Sequence, residues 1–173
     1  MKLEAHPEIA VLGLGNLMRT DDGVGVHAIR ILLASGRLPP GVEAIEGGTL
    51  GLDLLPRLEG PTHLLAIDAV DFGAPPGALS RFAGQELLIL PAGKSVHLLG
   101  FSDLLNALYL LGRAPREVVL LGVQPESTGW SVTLSHPVAA VLDDLLATAL
   151  AEIHGWLEGA SAGMALSGDA NHS

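Results

Sequence analysis

The stretch IAVLGLGNLMRTDDGVGVHAIRIL, residues 9–32, joins a continuous apolar run to a segment with helical spacing through a loop rich in glycine. The run from Ile9 to Gly15 is typical of a strand that is buried on both faces of a parallel sheet. Small and apolar residues recur at intervals of three and four from Gly25 to Leu32, which predicts an amphipathic helix. A buried strand followed at once by a helix indicates an α/β domain.

Strand and helix patterns alternate along the rest of the chain. Thr49 and Ser102 are predicted to cap helices, and Pro56 is expected to tighten or end the first of them. Ser135 is the predicted N-cap of a long final helix that has Pro137 in its first turn. Apolar runs predict four more strands, the third of these at an edge of the sheet: residues 42–48, 63–71, 77–82 and 117–126.

This alternation predicts one three-layer α/β domain over residues 1–158. The domain is expected to hold a twisted, mostly parallel sheet of about five strands, with helices on both faces. The remaining segment, GASAGMALSGDANHS (residues 159–173), is small and polar and is predicted to be a disordered tail.

The composition restricts the classes of partner. The chain has 173 residues, of which 49% are hydrophobic, so it can bury a substantial core. Its net charge of -10 disfavours nucleic acid and anionic membranes, and it favours a cationic partner or a metal ion. The absence of cysteine excludes disulfides, thiolate metal sites and a cysteine nucleophile. Because the N-terminal apolar run is too short for a signal peptide and no stretch is long enough to cross a bilayer, we expect a cytoplasmic protein.

Polar residues follow the predicted strands at the points where the strands end. Since sites in such sheets lie at the carboxyl ends of the strands, we expect these side chains to share one edge. Repulsion among clustered carboxylates costs stability unless a cation or a basic partner compensates for it. His97, which precedes the helix predicted from Ser102, could fold over the same edge. The residues in the last part of the strands or just past them are Asn16, Asp21, Asp22, Glu46, Gly47, Gly48, Thr49, Asp68, Asp71, Gln124 and Glu126.

A nucleotide site is disfavoured at the first of these loops. GLGNLMRTDDG begins like a glycine-rich dinucleotide turn, but Met18 stands where the third glycine would fall, and no Walker lysine is present. Asp21 and Asp22 would also place negative charge where a pyrophosphate needs backbone N–H groups.

A metal ion suits the residues better. Two carboxylates and an imidazole are suitable ligands for nickel or zinc, and three protein ligands would leave coordination positions open. Each residue also has a structural alternative. Asp22 could stabilise the N-terminal end of a helix dipole, and His97 could be a solvated loop residue. The residue types alone leave both interpretations open.

Taken together, five blocks of the chain resemble the maturation endopeptidases of nickel–iron hydrogenases. The resemblance implies a metal-binding cleft built from Asp22, Asp68 and His97, with Asp21 as the other member of the acidic pair. Some relatives carry Glu in place of Asp22, and many have Asp-Gly-Gly-Thr where this chain has Glu46-Gly47-Gly48-Thr49. The blocks are VLGLGNLMRTDDGVG, EAIEGGTLGLDLL, HLLAIDAV, SVHLLGFSDLL and LLGVQPES. The candidate substrate-binding residues are Asn16, Asp21, Glu46, Gly47, Gly48, Thr49 and Gln124.

The resemblance also implies a reaction. These enzymes remove a C-terminal extension from the precursor of the hydrogenase large subunit after nickel has been inserted. The cut follows a basic or imidazole residue near the last metal-binding cysteine. The nickel is expected to arrive with the substrate, although another divalent ion could occupy the site, and the enzyme is expected to be a monomer.

Two mechanisms and two rival functions stay open at this point. Asp22, Asp68 and His97, the candidate catalytic residues, could engage a nickel ion that takes part in the hydrolysis. Alternatively, nickel serves only recognition, and Asp22 or Asp68 is the general base of an aspartic-type hydrolysis. One rival is a nickel-binding chaperone or docking module that does not cut the precursor. The other is a broad-specificity metalloprotease, which is disfavoured because the chain has no H-E-x-x-H.

Overall fold

The computed structural model describes residues 8–89 and 96–168. Within these ranges the chain forms one five-stranded sheet in the order β2-β1-β3-β5-β4. Neighbouring strands are parallel except at the edge, where β4 is antiparallel to β5. The predicted α/β class and the predicted edge strand are therefore confirmed. The strands are β1 (Ile9–Leu14), β2 (Val42–Gly48), β3 (His63–Ala69), β4 (Leu79–Ala83) and β5 (Glu117–Val123).

Helices cover both faces of the sheet. Within the described ranges, no helix combines the length and the apolarity needed to cross a membrane. Two short 3₁₀ turns, Thr20–Gly23 and Gly51–Leu54, follow β1 and β2. The helices are α1 (Val24–Ser35), α2 (Leu55–Leu58), α3 (Glu86–Ile89), α4 (Val96–Leu110), α5 (His136–Ala140) and α6 (Leu142–Gly168).

The central strands supply side chains to two separate cores. Val11 and Leu65 belong to the core beneath α1 and α6. Their neighbours Leu12 and Leu64 belong to the core beneath α2 and α4. Because successive strand residues point to opposite faces, strands buried on both faces must be apolar throughout. This explains the continuous apolar run at Ile9–Leu14, where every residue is buried.

Glycines bring α1 into direct contact with the sheet. A Cβ atom on Gly25 would lie 2.1 Å from the Ile67 carbonyl oxygen, and one on Gly13 would lie 2.3 Å from the Gly25 carbonyl oxygen. Gly15 has φ +118°, and a Cβ there would lie 1.7 Å from the Asp22 carbonyl oxygen. These positions admit no side chain, so the glycines of the opening stretch serve close helix–sheet packing and a turn.

Two helix starts differ from the prediction. The turn after β2 has Leu50 as its N-cap, with no side-chain cap from Thr49, and Pro56 lies in the first turn of α2 instead of ending a helix. Proline is accommodated there because the first residues of a helix have no intrahelical partner for their N–H groups. Helix α4 begins at Val96, so Ser102 lies inside it and His97 belongs to a helix instead of a loop. The apolar spacing of residues 96–110 continues through Ser102, and this overrides the capping preference of a single serine.

The final helical segment is divided and extends further than predicted. Ser135 and Pro137 do open α5, but α5 ends at Ala140 and α6 starts at Leu142. Helix α6 continues to Gly168, although the sequence predicts a disordered tail from residue 159 onwards. Elongating an existing helix is easier than nucleating one, and the alanines, leucine and methionine of this segment favour helix. Residues 169–173 of the predicted tail lie outside the described residues.

Candidate functional site

The topology brings Asp22 and Asp68 to the same edge of the sheet. Asp22 lies in the 3₁₀ turn that follows β1, and Asp68 lies one residue before the end of β3. Strands β1 and β3 are hydrogen-bonded neighbours, with Gly13 opposite Ile67, and the turn also contacts β3. The predicted convergence of these two acids at the carboxyl ends of adjacent parallel strands is therefore present in the fold.

Asp22 is partly buried and is oriented by the loop that precedes it. Its Oδ2 accepts a hydrogen bond from the backbone N–H of Asn16 at 3.0 Å. The side chain of Asn16 in turn accepts a hydrogen bond from the Met18 N–H at 2.9 Å. Asn16 therefore contributes its backbone to Asp22 and its side chain to the turn between them.

Asp68 has a fully buried side chain at the end of a central strand. Its Oδ1 accepts a hydrogen bond from the Ala69 N–H at 2.8 Å. Aspartate is rarely buried to this extent because an ionised carboxylate loses its hydration, and it then requires hydrogen bonds or a cation. This placement distinguishes Asp68 from the solvated acids that give the chain its net charge.

Asp21 is also fully buried, but its carboxylate is directed into the protein. Its Oδ2 accepts hydrogen bonds from the N–H groups of Glu126 and Ser127 at 2.9 and 3.0 Å. The Ser135 N–H donates to Oδ1 at 2.7 Å, and the Ser135 hydroxyl donates to Oδ2 at 2.8 Å. The side chain predicted to bind substrate thus fastens the segment 126–135 to the turn that carries Asp22.

The geometry of the turn separates the two adjacent acids. A 3₁₀ turn rotates successive side chains by about 120°. Asp21 can therefore be fully buried while Asp22 remains partly exposed. Ser135, for which the sequence predicts only a helix cap, donates its hydroxyl to Asp21 and makes no side-chain cap.

Gln124 supports the loop that follows Asp68. Its Oε1 accepts hydrogen bonds from the N–H groups of Phe72 and Ala74 at 2.9 and 3.2 Å. Its Nε2 donates to Oδ1 of Asp71 at 3.1 Å. The sequence predicts that Gln124 binds substrate, and the structure places its buried side chain within these contacts.

The predicted residues after β2 line a cleft of about 320 Å³. Glu46 stands at the cleft and forms an exposed ion pair with Arg30, with 3.1 Å between Oε2 and Nη2. The lining residues are Gly15, Asn16, Leu17, Val26, Glu46, Gly47, Gly48, Thr49 and Leu50. The structure therefore brings five of the predicted substrate-binding residues, those at 16 and 46–49, around one opening.

A second cavity of about 280 Å³ adjoins the cleft and shares Gly48 and Thr49 with it. Its walls are mainly apolar and include Leu14, Leu54 and Phe101. A polar opening with an apolar neighbour is an arrangement that can hold a peptide by its backbone and by one of its side chains.

His97 is the second residue of α4, and its backbone lies one helical turn before Phe101 of the apolar cavity. Its side chain lies outside the described part of the structure. Among the residues whose side chains are described, no cluster of three His, Asp or Glu side chains could hold a metal ion. The metal site built from Asp22, Asp68 and His97 therefore stays a prediction.

Comparison with known proteins connects this chain to one family. A family model described as hydrogenase maturation protease matches residues 26–152. The hydrogenase expression/formation protein HupM of Azotobacter chroococcum mcd 1 is 39% identical over 150 residues, which cover 85% of this chain and 72% of that protein.

Two further similarities come from Escherichia coli. The hydrogenase 2 maturation protease of strain K12 is 36% identical over 147 residues, covering 84% of this chain and 90% of that protein. The solved structure of the hydrogenase maturating endopeptidase HybD superposes with a TM-score of 0.79 at 34% identity, covering 85% of this chain and 92% of that one.

Proposed function

The chain belongs to the hydrogenase maturation protease family, and from that premise we propose that it cleaves the C-terminal extension from a nickel–iron hydrogenase large-subunit precursor after nickel insertion. The observation that carries this proposal is the convergence of Asp22 and the buried Asp68 at one edge of the sheet. The cleft at residues 46–49 opens beside the loop of Asn16, whose backbone binds Asp22. A precursor segment bound in this cleft would therefore lie close to Asp22.

In this proposal nickel is part of the substrate. Asp22, Asp68 and His97 supply oxygen and nitrogen donors of the kind that divalent nickel accepts. The position of Asp68 supports this role, because its carboxylate lies at the carboxyl end of β3 in surroundings of low dielectric constant, where it would attract a cation strongly. The chain has no cysteine, so it offers no thiolate that could compete with the cysteines of the precursor for the ion.

Hydrolysis needs a base that removes a proton from the attacking water. The water oxygen bonds to the scissile carbonyl carbon while Asp22 or Asp68 takes its proton. The C–N bond then breaks, and the proton passes to the leaving amine. The hydrogen bond from the Asn16 N–H fixes the orientation of Asp22, and a fixed base is more effective than a mobile one. A substrate-borne ion that polarised the carbonyl would assist the same step.

The cleft is proposed to seat the polypeptide around the cut. The half-buried Gly48 has no side chain to cover the backbone of this wall, and Glu46 adds a carboxylate at its rim. That carboxylate suits a basic residue before the scissile bond, which would compete with Arg30 for Glu46. The exposed Arg30–Glu46 pair is weak enough for such an exchange. We expect the enzyme to act as a cytoplasmic monomer that binds its substrate transiently.

Mass spectrometry of the precursor, with and without nickel, tests the function directly. After incubation with a trace of this protein, loss of a short C-terminal peptide from the nickel-loaded form alone is the expected result. Asp53 is an exposed acid in the second 3₁₀ turn, so Asp53→Asn is the matched control for Asp22→Asn. This control variant should cleave the precursor normally. If both precursor forms stay intact and a stable one-to-one complex accumulates, the non-cleaving chaperone is the correct interpretation.

A further inference from the structure

Two loops present large apolar side chains to solvent on one continuous surface. The exposed fractions are 77% for Trp130, 67% for Val132 and 59% for Met18. Tryptophan and methionine are enriched in protein interfaces, and exposing them without a partner is unfavourable. We call Met18, Arg19, Trp130 and Val132 the Trp130 patch.

Hydrogen bonds hold the two loops of the Trp130 patch together. The Thr20 N–H donates to the Ser131 carbonyl at 2.8 Å, and the Ser131 N–H donates to the Met18 carbonyl at 3.1 Å. The Thr20 hydroxyl adds a bond to the Gly129 carbonyl at 2.9 Å. Thr20 has φ +40°, a strained value for threonine, and these contacts keep it there. A surface fixed in this way loses little conformational entropy when a partner binds.

The Trp130 patch carries a positive charge on an acidic protein. The Arg19 guanidinium lies 5.4 Å from the centre of the Trp130 ring, and its Nε donates to the Thr128 carbonyl at 2.9 Å. Arg30 and Arg81, by contrast, are paired with glutamates. Arg19 therefore offers a cation inside an apolar surface, and its complement is an apolar surface that carries a carboxylate.

The Trp130 patch is directly connected to the candidate active site. The Asp22 N–H donates to the Arg19 carbonyl at 2.9 Å, so both residues belong to one turn. Asp21, between the patch and the site, fixes the other loop through Ser127 and Ser135. A partner bound to the patch is thus placed against the turn that carries Asp22.

We propose that the Trp130 patch is the docking surface for the folded body of the precursor, which contacts it through an apolar area containing an acidic residue. This inference rests on the proposed function and extends it. The cleft holds the chain near the cut, and the patch holds the rest of the precursor. Such docking would make the enzyme specific for one folded protein beyond the few residues around the scissile bond.

Trp130→Ala tests the proposal, and Tyr109→Ala is its matched control. Tyr109 is 76% exposed and lies near the end of α4. There the chain returns toward the starts of β3 and β5, since the Arg116 N–H donates to the Thr62 carbonyl. Tyr109 is therefore an aromatic residue of nearly equal exposure that lies at the opposite end of the strands from the Trp130 patch.

The affinity for nickel-loaded precursor and the cleavage kinetics are measured for each variant. We expect Trp130→Ala to weaken binding and raise KM by about tenfold or more, with kcat unchanged at saturation, and Tyr109→Ala to change neither. Arg19→Glu should weaken binding of the precursor more than Trp130→Ala does, because it reverses a charge. Arg37 is an exposed arginine just after α1, and Arg37→Glu should leave binding unchanged. Val132→Asp provides a second patch variant if Trp130→Ala proves unstable.

The outcomes separate docking from catalysis. Normal cleavage with equal affinities for the wild type, Trp130→Ala and Val132→Asp would overturn the docking surface and leave the proposed function intact. If the wild type binds the precursor without cleaving it, and the patch variants do not bind it, the docking surface is supported and the proposed activity is overturned. A wild-type dimer that Trp130→Ala converts to monomers, with precursor affinity unchanged, would assign the patch to a second copy of the chain and overturn the proposal.

Discussion

The carboxylate of Asp21 accepts hydrogen bonds from both the N–H and the hydroxyl of Ser135, a residue 114 positions further along the chain. The bonds measure 2.7 and 2.8 Å, and they join the fully buried Asp21 to a half-buried serine. Together with two N–H donors from Glu126 and Ser127, they join the turn after β1 to the segment that leads into α5.

Asp21→Asn should destabilise the fold strongly. The amide keeps one acceptor oxygen and turns an NH₂ group toward donors, so several buried groups lose their partners. We expect a loss of about 2–4 kcal/mol in the free energy of unfolding, measured by urea denaturation. Ser135→Ala removes only the hydroxyl donor and should cost about 1 kcal/mol. Equal midpoints for the two variants would contradict the role assigned to Asp21.

Asp68→Asn should abolish processing without unfolding the protein. The amide is nearly isosteric and still accepts the Ala69 N–H, but it cannot act as a base and is a poor metal ligand. We expect the rate of precursor cleavage to fall by at least about 100-fold, with the melting temperature kept or raised. Asp22→Asn should behave in the same way. Residual activity above a tenth of wild type in either variant would exclude that residue as base or ligand.

Gly25→Ala and Gly155→Ala should change stability in opposite directions. A Cβ on Gly25 would meet the Ile67 carbonyl oxygen at 2.1 Å and push α1 away from the sheet, at a cost of about 3 kcal/mol or more. Gly155 lies in α6, and a methyl group there would meet no neighbouring segment within 4 Å, so alanine should stabilise the helix by about 1 kcal/mol. Thermal unfolding measures both, and a tolerated Gly25→Ala would refute the close packing of α1.

His27 should make the protein less stable in mild acid. Burial lowers the pKa of His27 from its usual 6.5, and Arg30 lowers the pKa further. Its Nε2 is buried with no hydrogen-bond partner among the described residues. The unfolded chain therefore binds the proton more readily, so stability is complete above the unfolded pKa and falls as the pH drops below about 6.5.

The matched measurement is the free energy of unfolding between pH 8 and 5 for the wild type and for His27→Gln. The glutamine variant lacks this titration, so the wild type should lose stability relative to it as the pH falls. A constant difference between the two curves would show that the pKa of His27 is not lowered by folding.

Much of the fold was predictable because its central strands are buried on both faces. Such strands must be apolar throughout, so Ile9–Leu14 stands out without any knowledge of its partners, whereas the edge strand β2 carries Glu43 and Glu46. The helix starts were less predictable. A serine inside α4 has the same local chemistry as a serine at a cap, and the burial of Phe101, Leu104 and Leu108 in the core shows that the helix passes through Ser102.

The candidate site was predictable in position and less so in the roles of its residues. The carboxyl-edge rule placed Asp22, Asp68 and the residues of the cleft correctly at one edge. It could not distinguish Asp21 from Asp22, because the difference depends on donors at Glu126, Ser127 and Ser135. Nor could it show the contacts of Gln124, since its partners belong to a loop that is distant in sequence and close in space. The role of Gln124 in substrate binding stays a prediction.

The link between Asp21 and Ser135 also determines when the site can form during synthesis. A ribosome that has just added Asp21 has still to add 114 residues, the last of which is Ser135. Until then the carboxylate of Asp21 lacks the two donors of Ser135, and the turn that carries Asp22 is held by its contacts with α1 and β3 but not yet by the segment that leads into α5. The support of the acidic pair is therefore complete only after Ser135 has been added, so a copy that stops before this residue presents no finished site to a precursor.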